Sequence, residues 1–178
     1  LAGGPLAATV GSWILDEACA QAAYWRRSGA PEFRIGVNLC SAQFRVGDLA
    51  AEVMETLARH GLPAEALELE VTENIVLDND DIVLGILQRL RQQGVGIAFD
   101  DFGTGYASLS LLKTYPLSRI KIDKSFVREF LSQDTDHAIV RTILAMAESL
   151  SLTVVAEGVE QQAQFDELVA LGCDLFQG

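Results

Sequence analysis

Apolar positions recur along this chain with two spacings, and the two take turns. From Gly11 to Arg27, Trp13, Ile14, Ala18, Cys19, Ala22 and Trp25 fall at helical spacing, which predicts an amphipathic helix stopped by Ser28-Gly29. Arg34 to Leu39 switches to alternation, with Ile35, Val37 and Leu39 on one side of a short predicted strand that ends at Asn38-Leu39-Cys40-Ser41. Helical spacing returns from about Gly47 to His60, with Leu49, Val53, Met54 and Leu57 inward and Gly61-Leu62-Pro63 closing the helix. Leu67 to Glu73 then alternates Leu and Glu, the pattern of a strand with one wet face.

The second half repeats the cycle. A helix is predicted from Asp80 to Gln93, with Ile82, Val83, Ile86, Leu87 and Leu90 on its buried side and Gly94 as its cap. The apolar run Ile97-Ala98-Phe99 ends in Asp100-Asp101 and the turn Phe102-Gly103-Thr104-Gly105-Tyr106. Leu109, Leu112 and Tyr115 suggest a short helix ended by Pro116, and Arg119-Ile120-Lys121-Ile122-Asp123 reads as the next strand. Asp136 caps a predicted helix through about Leu150. Leu152 to Ala156 is a strand running into Glu157-Gly158-Val159-Glu160, Gln162 to Leu171 is the last helix, and Cys173 to Gly178 opens a further strand. Six strands alternating with helices at roughly thirty-residue intervals are the pattern of repeated βα units on a parallel sheet.

Composition narrows the class. At 178 residues and 49% hydrophobic content the chain can bury one sizeable core, and nothing in it reads as a linker or low-complexity tract. No apolar run is long enough to span a bilayer and no signal-peptide pattern opens the sequence, so the expectation is a soluble, cytoplasmic domain. Cys19, Cys40 and Cys173, odd in number and set among apolar neighbours, suit reduced core thiols. A net charge of −12 excludes a groove for duplex DNA or RNA and requires cations to bridge any anionic substrate.

The chemistry gathers at strand ends. Asp100 and Asp101 point to opposite faces unless the strand ends there and the backbone turns, which Gly103 and Gly105 would supply. Two carboxylates held that close favour a cation between them, an oxygen site of the Mg²⁺ or Mn²⁺ type. Taken alone, the pair could equally be a solvated turn, and the Asp-Phe-Gly triplet lacks the other kinase motifs. But Asn38, Glu70, Asp123 with Lys121 two residues before it, and Glu157 also stand at strand ends, whereas Glu68 reads as a surface carboxylate. In a (β/α)₈ barrel those ends converge on one mouth, where the active site lies.

Asn38 in Val-Asn-Leu, Glu70 and Glu73 in Glu-Val-Thr-Glu, Asp100-Asp101-Phe-Gly-Thr-Gly-Tyr, Lys121-Ile-Asp123, Glu157-Gly-Val-Glu160 and Gln177-Gly178 stand in an order and spacing that resembles the EAL-domain family over essentially the whole chain. The resemblance implies a TIM-like (β/α)₈ barrel, of which about six βα units are present. It further implies hydrolysis of the bacterial second messenger cyclic di-GMP to linear pGpG by water activated between two Mg²⁺ or Mn²⁺ ions, with Ca²⁺ inhibitory. By the same resemblance Asn38, Glu70 and Asp100 bind one ion, and Asp100 bridges to a second held by Asp101, Asp123 and Glu157. Lys121 would lie beside the attacking water. Glu73 and Glu160 would hold the loops after Asp101 and Glu157, and Gln177 would contact metal-bound water or substrate.

Family members often dimerise near the loop and helix after Asp101 and are often fused to sensor or GGDEF domains. A complete member begins with two more strands, the second carrying a Glu-Ala-Leu ligand, so residues 1–178 are expected to be a partial EAL domain lacking those strands and its C-terminal end. Cys40 stands where the family usually has serine, a change expected to be tolerated. The alternatives are a non-catalytic cyclic di-GMP receptor and a Schiff-base lyase built on Lys121, the latter disfavoured because flanking carboxylates keep that lysine protonated.

Overall fold

The computed structural model describes residues 4–78, 80–104 and 109–178. Gly105 and Tyr106 of the predicted turn lie outside them. The chain divides into two compact units, one running to Ile97 together with Lys113–Pro116, the other comprising Ala98–Leu112 and Leu117–Gly178.

In the first unit, helix α1 (Pro5–Arg27) is followed by strand β1 (Ile35–Asn38), α2 (Leu49–His60), β2 (Leu67–Thr72), α3 (Glu73–Asp78) and α4 (Asp80–Gln92). β1 and β2 pair in parallel, placing Val37 opposite Leu69 and Asn38 opposite Glu70. α1 starts six residues earlier than the spacing predicts, and its buried stripe is Ala8, Leu15, Cys19, Ala22 and Ala23, while Trp13, Ile14 and Trp25 are exposed. Small residues on that stripe let the helix lie close to its neighbours. α2 is capped by Asp48, whose carboxylate accepts the Ala51 N–H at 3.1 Å and also pairs with Arg89 of α4. It ends at Gly61 in the left-handed region. α4 buries Val83, Leu87 and Leu90 as expected, but Ile82 is 62% exposed because the helix phase turns it outward.

The second unit contains the greater part of β3 (Gly96–Phe102), then β4 (Arg119–Ile122), α6 (Lys124–Glu129), α7 (Asp134–Ser149), β5 (Thr153–Glu157), α8 (Gln162–Ala170) and β6 (Leu175–Gln177); the short helix α5 is Leu109–Thr114. β3 pairs with β4, β4 with β5 and β5 with β6, all in parallel. Phe99, Ile120, Ile122 and Ala156 are fully buried, as strands covered on both faces require. Two expectations change here. α7 begins at Asp134 with Gln133 as its cap, so Asp136 lies inside the first turn. And β4 ends at Ile122, leaving Asp123 outside the strand as the cap of α6, a helix too short to show in the periodicity.

Candidate functional site

In the second unit the acidic residues of three strand ends come together. β3 carries Asp100 and Asp101 where its register with β4 slips between Phe99 and Phe102, a bulge of the kind that re-aims a side chain. The turn expected from the glycines begins one residue earlier, in Asp101 itself, whose φ of +53° puts a non-glycine residue in the left-handed region before Gly103 follows at +98°. Thr104 fixes that turn by donating its hydroxyl to the Asp101 carbonyl at 2.9 Å. One carboxylate oxygen each from Asp100, Asp101 and Glu157 then lies within 4.8 Å of the others.

Lys121 stands among them. Its Nζ lies 2.9 Å from Asp100 Oδ1 and 2.7 Å from Glu157 Oε1, with the ammonium side chain 8% exposed. Asp123 caps α6 by accepting the Ser125 N–H at 2.9 Å. Burial and the neighbouring charges of Asp100, Asp123 and Glu157 push the Asp101 carboxyl above its ordinary range. Burial pushes Asp123 the same way, but hydrogen bonds from Ser125 and Asp101 outweigh it and hold that carboxyl low. One lysine among four carboxyls leaves negative charge uncompensated. The donors are all hard oxygens at short separation, a set that fits Mg²⁺ or Mn²⁺ and would not suit a soft metal.

In the first unit Asn38 and Glu70 sit side by side at the ends of β1 and β2. Asn38 Nδ2 donates to Glu70 Oε2 at 3.2 Å, which turns the amide oxygen away from Glu70 and leaves it as a neutral ligand atom. Gly36 makes this possible, because a Cβ there would overlap Glu70 Oε1. Glu68 corrects the sequence reading. It is 4% exposed, its carboxylate packs over Gly96, and Arg34 lies 4.0 Å away, so it is a buried acid.

The remaining predicted residues are spread more widely. Glu73 is the first residue of α3 and is buried, with no hydrogen-bond partner for its Oε1 among the described residues. Gln177 lies opposite Glu157 in the β5–β6 register, and its carbonyl accepts the Val159 N–H at 3.1 Å. Glu160 is exposed, and its backbone N–H is held by Gln164. Gln164 and Gln43 are residues that sequence reasoning missed: both are buried, and each accepts a backbone N–H at the start of a helical turn that follows a strand. Their glutamine at the third helical position is the capping-box spacing, the signal that could have found them.

A family model described as EAL domain matches residues 5–178. The chain belongs to the EAL domain family. Among curated proteins it is 46% identical over 169 residues to the bifunctional diguanylate cyclase/cyclic di-GMP phosphodiesterase MucR of Pseudomonas aeruginosa, covering 95% of this chain and 25% of MucR. It thus spans about a quarter of that relative's length. Among solved structures, the MucR phosphodiesterase in complex with c-di-GMP superposes with a TM-score of 0.91 at 45% identity, covering 97% of this chain and 70% of that one. A manganese/cy-diGMP complex of Klebsiella pneumoniae BlrP1 matches at TM-score 0.87 and 32% identity, over 96% of this chain and 43% of that one. These neighbours establish the fold class of this EAL domain as the TIM-like (β/α) barrel, with six parallel strands present. No helix among the described residues is long and apolar enough to cross a membrane.

Proposed function

We propose that this EAL domain hydrolyses cyclic di-GMP to linear pGpG with two Mg²⁺ or Mn²⁺ ions, and that Ca²⁺ inhibits it. The observation that carries the reading is the buried Lys121 ammonium bracketed by Asp100 and Glu157 beside Asp101. Asp100, Asp101, Asp123 and Glu157 would hold divalent cations, and the family motifs assign Asn38 and Glu70 as further ligands. Bound there, such ions supply charge neutralisation for the phosphodiester and a water of lowered pKa.

The chain's own residues then divide the work. The carboxylates would hold the cations, without which their charge would repel the anionic substrate. Lys121, kept protonated by its two acidic neighbours, orients the attacking water by hydrogen bonding from Nζ. Glu157, 2.7 Å from that nitrogen, would take the proton the water sheds as one P–O bond forms and return it to the ribose oxygen as the other P–O bond breaks. Gln177 would contact metal-bound water or substrate, and Glu73 and Glu160 would hold the loops after Asp101 and Glu157. Fusion to sensor or cyclase domains and assembly as a homodimer belong to the same reading.

Chromatography of cyclic di-GMP incubated with the protein and Mg²⁺ tests it. Accumulation of pGpG, lost on adding Ca²⁺, is the expected result. Tight binding of cyclic di-GMP without turnover would overturn it in favour of a receptor.

A further inference from the structure

Gln164, on α8, is 3% exposed and uses both ends of its amide. Its Oε1 accepts the backbone N–H groups of Glu160 and Gln161, each at 3.0 Å, and its Nε2 donates to the backbone carbonyls of Val127 at 3.1 Å and Arg128 at 3.4 Å. The first pair belongs to the turn that leaves Glu157. The second belongs to α6, the helix that Asp123 caps. The cap of α8 explains only half of this arrangement, since the bonds to Val127 and Arg128 satisfy last-turn carbonyls of α6 instead. They join the turn after β5 to the helix after β4.

A second contact lies on the same seam. Gly158, the residue after Glu157, has φ +70°, and a Cβ there would fall 2.7 Å from Lys124 Cβ. The turn is therefore pressed against the first residue of α6 and tied to its later residues by one amide. Glu157 leads into one side of that joint and Asp123 into the other, while Lys121 sits two residues before Asp123.

We propose that Gln164 is a positioning residue for the acidic site: by fixing the Glu157 turn to α6 it sets where the Glu157 carboxylate stands relative to Lys121 and Asp123, and hence how well the group holds a divalent cation. The proposal rests on the reading of that group as a cation site. Groups that orient metal ligands from outside the coordination sphere typically alter affinity about 10–100-fold when removed.

The test compares Gln164→Met, which keeps the bulk and loses the amide, with Gln164→Glu, which keeps the acceptor and loses the donor. Gln162→Ala, which removes only an exposed bond to Asp166, is the control. Mn²⁺ titration followed by electron paramagnetic resonance should show affinity about tenfold weaker in Gln164→Met, intermediate in Gln164→Glu and unchanged in the control. The ¹³C resonance of the Glu157 carboxyl, recorded without metal, should move in Gln164→Met and stay in place in the control. A Gln164→Met protein that loses thermal stability yet keeps the wild-type Mn²⁺ affinity and the wild-type Glu157 resonance overturns the proposal and leaves Gln164 a structural cap. If Gln164→Met fails to fold, Gln164→Glu is held to the same two criteria. A wild type that takes up no Mn²⁺ while the Glu157 resonance still moves in the variant removes the reading of the site and upholds the positioning role.

Discussion

Asp101 and Asp123 are neighbouring carboxyl groups that are driven in opposite directions, the first raised above and the second held below the ordinary carboxyl range. Asp101 is the member whose pKa is raised, by burial first and then by the charges of Asp100, Asp123 and Glu157. A raised carboxyl pKa means that the folded chain binds that carboxyl's proton more firmly than the unfolded one, so its contribution to stability is lost as pH rises through the folded value. At neutral pH the metal-free site is therefore under electrostatic load. Asp101→Asn should raise the metal-free thermal midpoint at about pH 7 by a small amount, about 1–2 °C given solvent screening. It should also abolish the further rise that Mn²⁺ gives the wild type. Scanning calorimetry with and without Mn²⁺ checks both halves, and a variant that is less stable without metal contradicts the account.

Lys121 is the opposite case. Removing its ammonium leaves Asp100 and Glu157 facing each other with side chains only 13% and 15% exposed. Breaking a buried pair on one side typically costs about 3–5 kcal/mol. Lys121→Met should lose stability of that order in urea unfolding, recover part of it with Mn²⁺, and lower hydrolysis about 10²-fold or more. Unchanged stability would show that the two carboxylates are not held by this lysine.

The sequence shows which strand ends carry carboxylates, because an apolar run stopping at a carboxylate is a local signal. It does not show what lies above or below a strand. Glu68 and Glu70 alternate with leucines in the same way, yet Glu68 is buried over Gly96 and Glu70 stands at the strand end over Gly36. Only a neighbouring strand supplies those glycines, and no spacing rule within β2 reveals them. Trp13 and Ile14 fall at helical spacing yet are exposed for a similar reason: large apolar residues dominate a periodicity, whereas α1 packs through alanines, Leu15 and Cys19. Gln164 carries no periodic signal at all, since its partners are main-chain atoms of a helix nearly forty residues away.

The contrast between the two glutamates can be measured. Glu70→Ala should remove activity with little change in stability, because its carboxylate bonds an exposed amide. Glu68→Ala should do the reverse, costing about 1–3 kcal/mol in unfolding free energy by leaving a cavity and uncompensated polar neighbours while the strand-end chemistry survives. Parallel urea unfolding and pGpG assays separate them, and equal loss of activity with equal stability at both positions would refute the assignment of faces.

Asp16 joins α1 to α2, accepting from His60 Nε2 at 2.9 Å and from Arg59. The hydrogen bond from His60 chiefly, helped against the opposing cost of burial by the hydrogen bond from Arg59, holds its carboxyl below the ordinary range. A depressed carboxyl pKa contributes stability that is present above the unfolded value of about 3.9 and disappears as pH falls through the folded value. With a third of the side chain open to solvent, the contribution is below about 1 kcal/mol. Asp16→Asn should therefore be less stable than wild type at about pH 6 and match it at about pH 2, with the two curves converging below about pH 4. Urea unfolding across that range gives the difference directly. A gap that persists undiminished at the acid end would mean that Asp16 acts through packing between the helices and not through its charge.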